Sequence, residues 1–159
     1  MKQAVSFSSN SVNTATSAFG QGIAVTQTQM LRAFSGISND GVMVEPQFIS
    51  QVVDHNDGTS RVAKPEVVGH PVSKKVAQET RDYMVTVGTT PYYGTLYANG
   101  YGPIIQVGDE SVAVKSGTAE IAKEDGSGYI KGERQYLLSV VAMVPADDPI
   151  YTMYVTVQQ

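Results

Sequence analysis

The residues best suited to chemistry follow the apolar run 112–114 and read Lys115, Ser116, Gly117 and Thr118. A strand places alternate side chains on opposite faces, so Lys115 and Gly117 share one face while Ser116 and Thr118 share the other. The four residues offer an ammonium group and two hydroxyls to an anion such as a carboxylate. The glycine removes a side chain where another backbone would approach. We therefore predict an anion-binding strand here.

An edge position in a sheet would give this strand two further capabilities. An extended peptide can add alongside an edge strand through backbone hydrogen bonds. The backbone N–H of Thr118 can then serve as an oxyanion donor, and removing one such donor typically lowers a rate by a factor of about 10²–10³. A string of four residues also arises by chance, so an unrelated soluble binding domain remains an open alternative.

The anion-binding strand is the first of three strands that close the chain. Apolar runs and alternation predict strands over 112–121, 136–145 and 151–157. Turn residues at 124–128 and 147–149 connect them, and consecutive strands with short connections form an antiparallel meander. In the third strand we expect an apolar face packed on helices, with Met153 in the core, and a partly polar opposite face.

Two helices are predicted to pack on this sheet. The first follows Thr26, a plausible N-cap, and ends at 39–41, where Gly41 suits a left-handed backbone. Its apolar residues recur at helical spacing: Met30, Leu31, Phe34 and Ile37. The fold class predicted from these elements is α+β, with helices packed on an antiparallel sheet.

The second predicted helix spans 73–87, with Ser73 as its N-cap and Gly88 as its stop. One face of it is expected to pack inward: Val76, Thr80, Tyr83, Met84 and Val87. Its carboxyl end leads into 89–108, a segment rich in glycine and tyrosine that we predict to be a long ordered loop.

The remaining segments are predicted to be peripheral. Strands are expected over 46–54 and, more weakly, over 61–68, on either side of a turn at 55–58. Residues 1–16 are rich in Ser, Asn and Thr without an apolar period, which predicts a flexible polar arm.

Composition excludes several classes of function. The chain has 159 residues, enough for one domain. Its net charge of −4 and the absence of a basic patch argue against a nucleic-acid partner. Zero cysteines exclude disulfides and thiol catalysis. No apolar stretch approaches the ~20 residues that span a bilayer, and we expect no membrane segment, signal peptide, metal or cofactor in this chain.

Other candidate motifs have simpler explanations. Residues 54–58 superficially resemble a calcium loop but lack its downstream acidic ligand, so a turn is the better interpretation of His55 and its neighbours. His70 precedes a proline and is interpreted as a loop residue. Residues 20–22 do not form a nucleotide loop, because no Gly-Lys-Ser/Thr follows them.

Several separated segments resemble the transpeptidase domain of class B penicillin-binding proteins. Residues 17–34, beginning Ser-Ala-Phe-Gly-Gln-Gly-Ile, resemble the approach to a core helix and the helix itself. Residues 39–46, Asn-Asp-Gly-Val-Met-Val-Glu-Pro, resemble the exit from that helix. Lys115 to Ala119 lies where the third active-site motif of the family belongs, and 145–149 and 154–159 match the last hairpin.

The resemblance implies a partial serine β-lactamase/penicillin-binding fold and a D,D-transpeptidase that cross-links peptidoglycan. The family's site combines Ser-x-x-Lys, Ser-x-Asn and Lys-Ser/Thr-Gly, and the first serine is acylated by a D-Ala-D-Ala peptide or by a β-lactam. By carry-over, Lys115 supplies a positive field, Ser116 and Thr118 supply hydroxyl contacts, and the Thr118 N–H helps to form the oxyanion hole. Such a parent acts in cell division and cell shape, at the outer face of the plasma membrane.

The chain also departs from the family pattern. No serine begins a Ser-x-x-Lys, so the sequence contains no candidate nucleophile. The triplets Ser8-Ser9-Asn10 and Ser11-Val12-Asn13 lie too close to the core helix to be the second motif. Residues 17–159 are therefore expected to form the C-terminal part of the domain, without the nucleophile-bearing helical part and without the closing C-terminal helix.

Two consequences follow from that expectation. An isolated chain would be catalytically inactive and would expose apolar surface, so self-association or pairing with a complementary fragment is an alternative, non-catalytic function. Glu120 shares a strand face with Thr118. Its carboxylate either repels an anionic β-lactam in an intact site, where it would bear on antibiotic resistance, or is a solvated charge at the strand end.

Overall fold

The computed structural model describes residues 11–17, 20, 23, 25–121, 123, 127–132 and 135–158. The chain divides into two compact units. The larger unit comprises 27–115 and 141–154, and the smaller comprises the described parts of 1–26, 116–140 and 155–159. Helices and antiparallel strands are both present, which confirms the predicted α+β class.

The helices are α1 (Ser11–Ser17), α2 (Gln27–Ser38) and α3 (Lys74–Thr89). Helix α2 confirms the first predicted helix. Its end is fixed by a hydrogen bond of 2.9 Å from the Gly41 N–H to the Gly36 carbonyl, and both Asp40 (φ 49°) and Gly41 (φ 92°) have left-handed backbones. The predicted role of Gly41 is therefore confirmed, with Asp40 taking part in the same turn.

Helix α3 confirms the second predicted helix and its cap, because the Ser73 hydroxyl accepts a hydrogen bond from the Val76 N–H. The predicted stop at Gly88 is wrong, since α3 continues to Thr89. Gly88 has a packing role instead: a Cβ at this position would come within 2.9 Å of Val114 Cγ2. The glycine permits close contact between α3 and the strand that carries Val114.

The predicted inward face of α3 is confirmed at Met84 and Val87, which pack on the core clusters, but it is wrong at Val76 and Tyr83. Tyr83 is 75% exposed and Val76 is 45% exposed. The buried residues of α3 lie one helical turn apart along a single stripe: Ala77, Arg81, Met84 and Gly88. The prediction followed the apolar side chains, whereas the stripe contains an arginine and two small residues.

Three antiparallel pairs of short strands lie in the larger unit. Strand β1 (Met43–Val44) pairs with β4 (Val67–Gly69), β2 (Gln51–Val53) pairs with β3 (Ser60–Val62), and β5 (Tyr97–Ala98) pairs with β6 (Gly102–Pro103). The predicted strand over 46–54 is thus shorter, and the predicted strand over 61–68 is two strands with different partners. Pro65 lies between these two and has no N–H to donate to a ladder.

The three closing strands form one sheet in the order β7 (Ala113–Glu120), β8 (Tyr136–Val144) and β9 (Tyr151–Gln158). All three predicted strands are therefore confirmed to within two residues at either end. The predicted tip at 124–128 includes 124–126, which lie outside the described residues.

The core of the larger unit consists of two apolar clusters. The first contains Met84, Ala113, Val141, Met143 and Ala146, with Phe34 and Tyr154 packed against it. The second contains Val112, Val114 and Ala142, with Val87, Leu96 and Ile105 at its margin. Since α3 and the start of β7 contribute to both clusters, the beginning of β7 is held firmly.

Strand β9 does not bury the face that its sequence suggests. The side chains of Tyr151, Met153, Val155 and Val157 are all exposed, whereas those of Thr152, Tyr154 and Thr156 are half-buried. Met153 is 56% exposed, so its predicted core position is wrong. Tyr154 packs on the first core cluster, with its ring centroid 6.1 Å from that of Phe34. Because the Tyr154 side faces the helices, the more apolar side faces away from them.

Part of the segment predicted to be a polar arm is helical. Ser11–Ser17 forms helix α1, and the Ser17 hydroxyl donates to the Thr14 carbonyl at 2.7 Å. Residues 1–10 lie outside the described residues.

Candidate functional site

All five candidate residues lie on strand β7, which spans Ala113–Glu120. Val112, Ala113 and Val114 are buried, and the strand becomes accessible at Lys115. The apolar start is thus fixed in the core clusters, and the polar residues follow directly after it. This arrangement explains how a flexible lysine side chain is attached to a rigid backbone.

Strand β7 stands at one end of the strand order, and within the described ranges its sheet partner is β8. An edge strand has backbone N–H and C=O groups that point away from its only neighbour. Strand β7 therefore has the edge position that the addition of a peptide strand requires.

Exposure varies along the polar half of β7. Lys115, Thr118 and Glu120 are exposed, whereas Ser116 and Gly117 are half-buried. Thr118 and Glu120 are two residues apart and so lie on the same strand face, as predicted. The structure therefore presents an ammonium group, a hydroxyl and a carboxylate to solvent from one strand.

The packing of the sheet explains a glycine at position 117 in a way that the sequence did not indicate. A Cβ at this position would lie 2.6 Å from the hydroxyl oxygen of Ser139 on strand β8, closer than real Cβ contacts allow. The glycine was predicted to make room for an approaching ligand. The nearest atom belongs to the adjacent strand, so a larger residue would displace the Ser139 hydroxyl, and the glycine favours close packing of β7 on β8.

A small cleft lies near the start of β7 in the larger unit. It has a volume of about 210 Å³ and is lined by residues of α3, of the 103–111 segment and by Val112. Lys115 and the residues that follow it do not line this cleft. The candidate site is therefore an accessible strand rather than an enclosed pocket.

Residues 54–58, which include His55, form a turn as predicted. The Asp54 carboxylate accepts from the Asn56 N–H at 2.8 Å, and the Gly58 N–H donates to the Asp54 carbonyl. The backbone N–H and then the hydroxyl of Thr59 lower the pKa of Asp57 by donating to its carboxylate. Across the part of the chain that the structure describes, no three His, Cys, Asp or Glu side chains are grouped to hold a metal.

The sequence did not lead us to expect that Arg81 is buried and holds several elements together. Its side chain is 1% exposed and donates to four acceptors, which are the carbonyls of Ile37, Ala146 and Asp147 and the carboxylate of Asp40, at 2.6–3.0 Å. It thereby connects α3 to the end of α2 and to the turn after β8. A signal existed in the sequence, because Arg81 is spaced four and three residues from Ala77 and Met84 on the buried stripe.

Asp40 is the charged partner in this network. Lys74 binds one of its carboxylate oxygens at 2.9 Å and Arg81 binds the other at 2.9 Å. Hydrogen bonds from Lys74 and then from Arg81 hold the pKa of the Asp40 carboxyl below its usual value. The network therefore contains an ionised carboxylate at neutral pH.

Comparison with known proteins identifies the family. The family model described as the penicillin binding protein transpeptidase domain matches residues 2–159. A crystal structure of Penicillin Binding Protein 2X from Streptococcus thermophilus is 62% identical with a TM-score of 0.90, over 94% of this chain and 22% of that one. Penicillin binding protein 3 from Mycobacterium tuberculosis, in a structure with ampicillin, is 29% identical with a TM-score of 0.73, over 88% of this chain and 30% of that one.

A curated relative agrees with these structures. Stage V sporulation protein D of Bacillus subtilis is 31% identical over 151 residues, which are 92% of this chain and 21% of the relative. This chain therefore spans about a fifth of the length of that relative. The resemblance found in the sequence is confirmed: the chain belongs to the family of penicillin-binding protein transpeptidase domains.

Proposed function

We propose that strand β7 is the carboxylate-binding strand of a peptidoglycan D,D-transpeptidase. The observation that carries the proposal is the position of Lys115-Ser116-Gly117-Thr118 on an accessible edge strand in a chain of this family. An incoming stem peptide extends the sheet beside β7 and places its terminal carboxylate near this motif.

Each residue of the motif has a role in this proposal. The Lys115 ammonium provides the positive charge that attracts the carboxylate, and the hydroxyls of Ser116 and Thr118 donate hydrogen bonds to it. The Thr118 N–H belongs to the oxyanion hole, where it stabilises the negative charge that develops on the attacked carbonyl oxygen. Gly117 keeps β7 close to β8 and so keeps these donors in place.

The attacking alcohol comes from another part of the polypeptide in this proposal. The sequence contains no Ser-x-x-Lys. The triplet Ser11-Val12-Asn13 lies at the start of helix α1. The chain by itself therefore binds no penicillin covalently. Incubation with a fluorescent penicillin followed by gel electrophoresis tests this, because a labelled band at 17.0 kDa would refute it.

The ligands and location proposed for the complete protein follow from its relatives. Structures of the Mycobacterium tuberculosis protein contain ampicillin and aztreonam, so β-lactams are proposed as ligands of the complete domain. The role in peptidoglycan synthesis that we propose supports a location of the parent at the outer face of the plasma membrane. Within the described residues, no helix is both long and apolar enough to cross a bilayer.

A chimera tests the proposed role of β7. This chain replaces the matching segment of the Streptococcus thermophilus protein, which is 62% identical to it, and the rate of acylation by a fluorescent penicillin is measured. Lys115→Ala should lower that rate about 100-fold, because the charge that holds the carboxylate is lost. Lys75→Ala removes a lysine whose side chain is 83% exposed on α3 and is the matched control. Equal rates for the two variants would refute the proposal.

Glu120 allows a finer test in the same chimera. Its exposed carboxylate lies on the same strand face as Thr118, where it repels an anionic β-lactam in our proposal. Glu120→Gln removes the charge while keeping the shape, and the acylation rate should rise several-fold. An unchanged rate would identify Glu120 as a solvated charge without a role in ligand selection.

A second candidate function is supported by the exposed face of β9. Tyr151 is 71% exposed and Met153 is 56% exposed, and an uncovered apolar strand face favours association. We propose self-association, or pairing with a complementary fragment, as the non-catalytic alternative. Size-exclusion chromatography with light scattering tests it over a range of concentrations, and a monomer at every concentration would eliminate self-association.

A further inference from the structure

The segment 90–108 follows α3 and contains strands β5 and β6, and it combines exposed aromatic rings with a complete absence of charged residues. Tyr92 is 82% exposed, Tyr93 is 88% exposed and Tyr101 is 92% exposed. Large aromatic side chains usually bury much of their surface, because burial is where they contribute most to stability. We call these three residues the tyrosine platform, and nothing in the proposed role of β7 requires them.

The backbone beneath the tyrosine platform is firmly attached to the larger unit. A Cβ on Gly94 would come within 2.5 Å of the Val87 carbonyl and 2.8 Å of the Thr90 carbonyl, so the segment lies directly on the end of α3. The Leu96 N–H donates to the Val87 carbonyl at 3.1 Å. Leu96 and Ile105 pack against the second core cluster. The rings are therefore exposed on an ordered support, not on a loose segment.

The backbone of Tyr92 is held beside the turn that carries Tyr101. Its φ of 66° lies in the left-handed region, which is costly for a bulky side chain and free for glycine. A hydrogen bond of 2.8 Å from the Tyr92 N–H to the Asn99 side-chain oxygen holds this conformation. Asn99 and Tyr101 both lie in the turn between β5 and β6, so this bond brings the segment with Tyr92 and Tyr93 next to that turn. Strained backbone of this kind is often found at ligand-binding sites.

The chemistry of this surface restricts its ligand. Aromatic rings stack on nucleobases or on the C–H faces of sugar rings, but nucleic acid also needs cations for its phosphates, and the segment has none. A neutral ligand with flat apolar faces and hydroxyl or amide groups matches uncharged tyrosines and their neighbours Asn99 and Gln106. Polymers of N-acetylhexosamine have this character.

We infer that the tyrosine platform binds the sugar rings of a neutral glycan chain. The choice of an N-acetylhexosamine polymer rests on the proposed function, since peptidoglycan contains such a chain.

Binding of chitotetraose, a neutral chain of N-acetylglucosamine, tests the inference on the 159-residue protein. Saturation-transfer NMR and a titration should detect binding, and the double substitution Tyr93→Ala with Tyr101→Ala should weaken it about ten-fold or more. Tyr93→Phe with Tyr101→Phe keeps the rings and should retain most of the affinity. Tyr151→Ala removes a tyrosine that is 71% exposed on β9 and should change nothing.

The outcomes separate this inference from the proposed function. Lys115→Ala should bind chitotetraose normally even though it lowers acylation in the chimera. If the unaltered protein does not bind chitotetraose, or if the double alanine variant binds it equally well, the platform is not a glycan site, and the role of β7 is unaffected. Circular dichroism spectra that match the unaltered protein establish that each variant is folded.

Discussion

Helix α3 and strand β9 differ in which of their side chains are buried. Helix α3 buries an arginine almost completely, while β9 leaves Tyr151, Met153 and Val157 more than half exposed. The arginine is tolerated because α2 and the turn after β8 provide acceptors for its donors. The side chains of Tyr151, Met153 and Val157 are covered only in part by described residues. Burial in this chain therefore depends on the partners that are present, and hydrophobicity alone does not decide it.

Among the substitutions considered, removal of Arg81 should have the largest effect on the stability of the fold. Arg81→Met keeps much of the volume but leaves the carbonyls of Ile37, Ala146 and Asp147 without their donor. The free energy of unfolding should fall by about 3–5 kcal/mol, as it does when one partner of a buried charged network is lost. Urea unfolding followed by circular dichroism measures the change.

Arg81→Lys is the matched variant, because one ammonium group replaces the planar guanidinium. It should be intermediate, since its three donors cannot reach all four acceptors in the same geometry. A loss below 1 kcal/mol for Arg81→Met, within the usual range for surface sites, would show that α3 is held mainly by its apolar contacts.

A smaller loss is expected where α3 meets the strand β7. Gly88→Val places a branched side chain where even a Cβ would lie 2.9 Å from Val114 Cγ2. Overpacking of this kind costs about 1–3 kcal/mol. Thermal unfolding measures it, with Thr89→Val on the exposed side of the same helix as the control. Equal stability of the two variants would mean that the contact can relax.

The Asp40 network should make the stability of the folded chain depend on pH. Lys74 and then Arg81 lower the pKa of Asp40 in the folded chain below its value in the unfolded chain. Stability from this group is therefore complete above the unfolded pKa, at about 4, and is lost as the pH falls through the lower folded value. Asp40→Asn should flatten the decline in stability between about pH 5 and pH 2.

Asparagine is a suitable replacement because Asp40 has a φ of 49°, which asparagine accepts better than most residues. Asp57→Asn is the comparison variant, since that carboxylate is held by local turn hydrogen bonds from Thr59 and not by cations. Stability curves measured in urea at several pH values provide the test. An unchanged acid limb in Asp40→Asn would show that the network has little effect on folding.

The smallest effect on stability is expected on β9. Met153→Thr suits a strand, and because Met153 is 56% exposed the free energy of unfolding should change by less than about 0.5 kcal/mol. The same change should reduce association if the exposed face of β9 drives it. Light scattering at matched concentrations measures this effect, and a large loss of stability would show that Met153 is a core residue after all.

Periodicity predicted the elements of this fold better than their faces. The spacing of Met30, Leu31, Phe34 and Ile37 predicts α2, and alternation predicts β7 to β9. The spacing of Arg81 from Ala77 and Met84 indicated a shared helix face, but it could not show what satisfies the buried guanidinium, because the acceptors include backbone carbonyls that are distant in sequence. Nor could patterns show which side of β9 faces the helices, since that depends on where Phe34 packs on Tyr154.

The candidate site was more predictable than its surroundings. Lys115 to Thr118 follow a buried run, as the residue types indicated, but the edge position of β7 was only a condition at the level of sequence. The sequence could not show that Gly117 packs against Ser139, because this contact depends on the pairing of β7 with β8. The exposure of Tyr92, Tyr93 and Tyr101 was also hidden, since exposure cannot be judged from composition.

Intact-mass spectrometry after incubation with penicillin tests whether the attacking serine lies outside this chain. We expect the 159-residue chain to gain no mass, whereas the Streptococcus thermophilus chimera should gain one penicillin on a serine outside the transplanted residues. Peptide mapping locates that serine. A penicillin adduct on a serine within this chain, or a folded chimera that gains no adduct, would contradict the claim that β7 binds the carboxylate for an alcohol supplied from elsewhere.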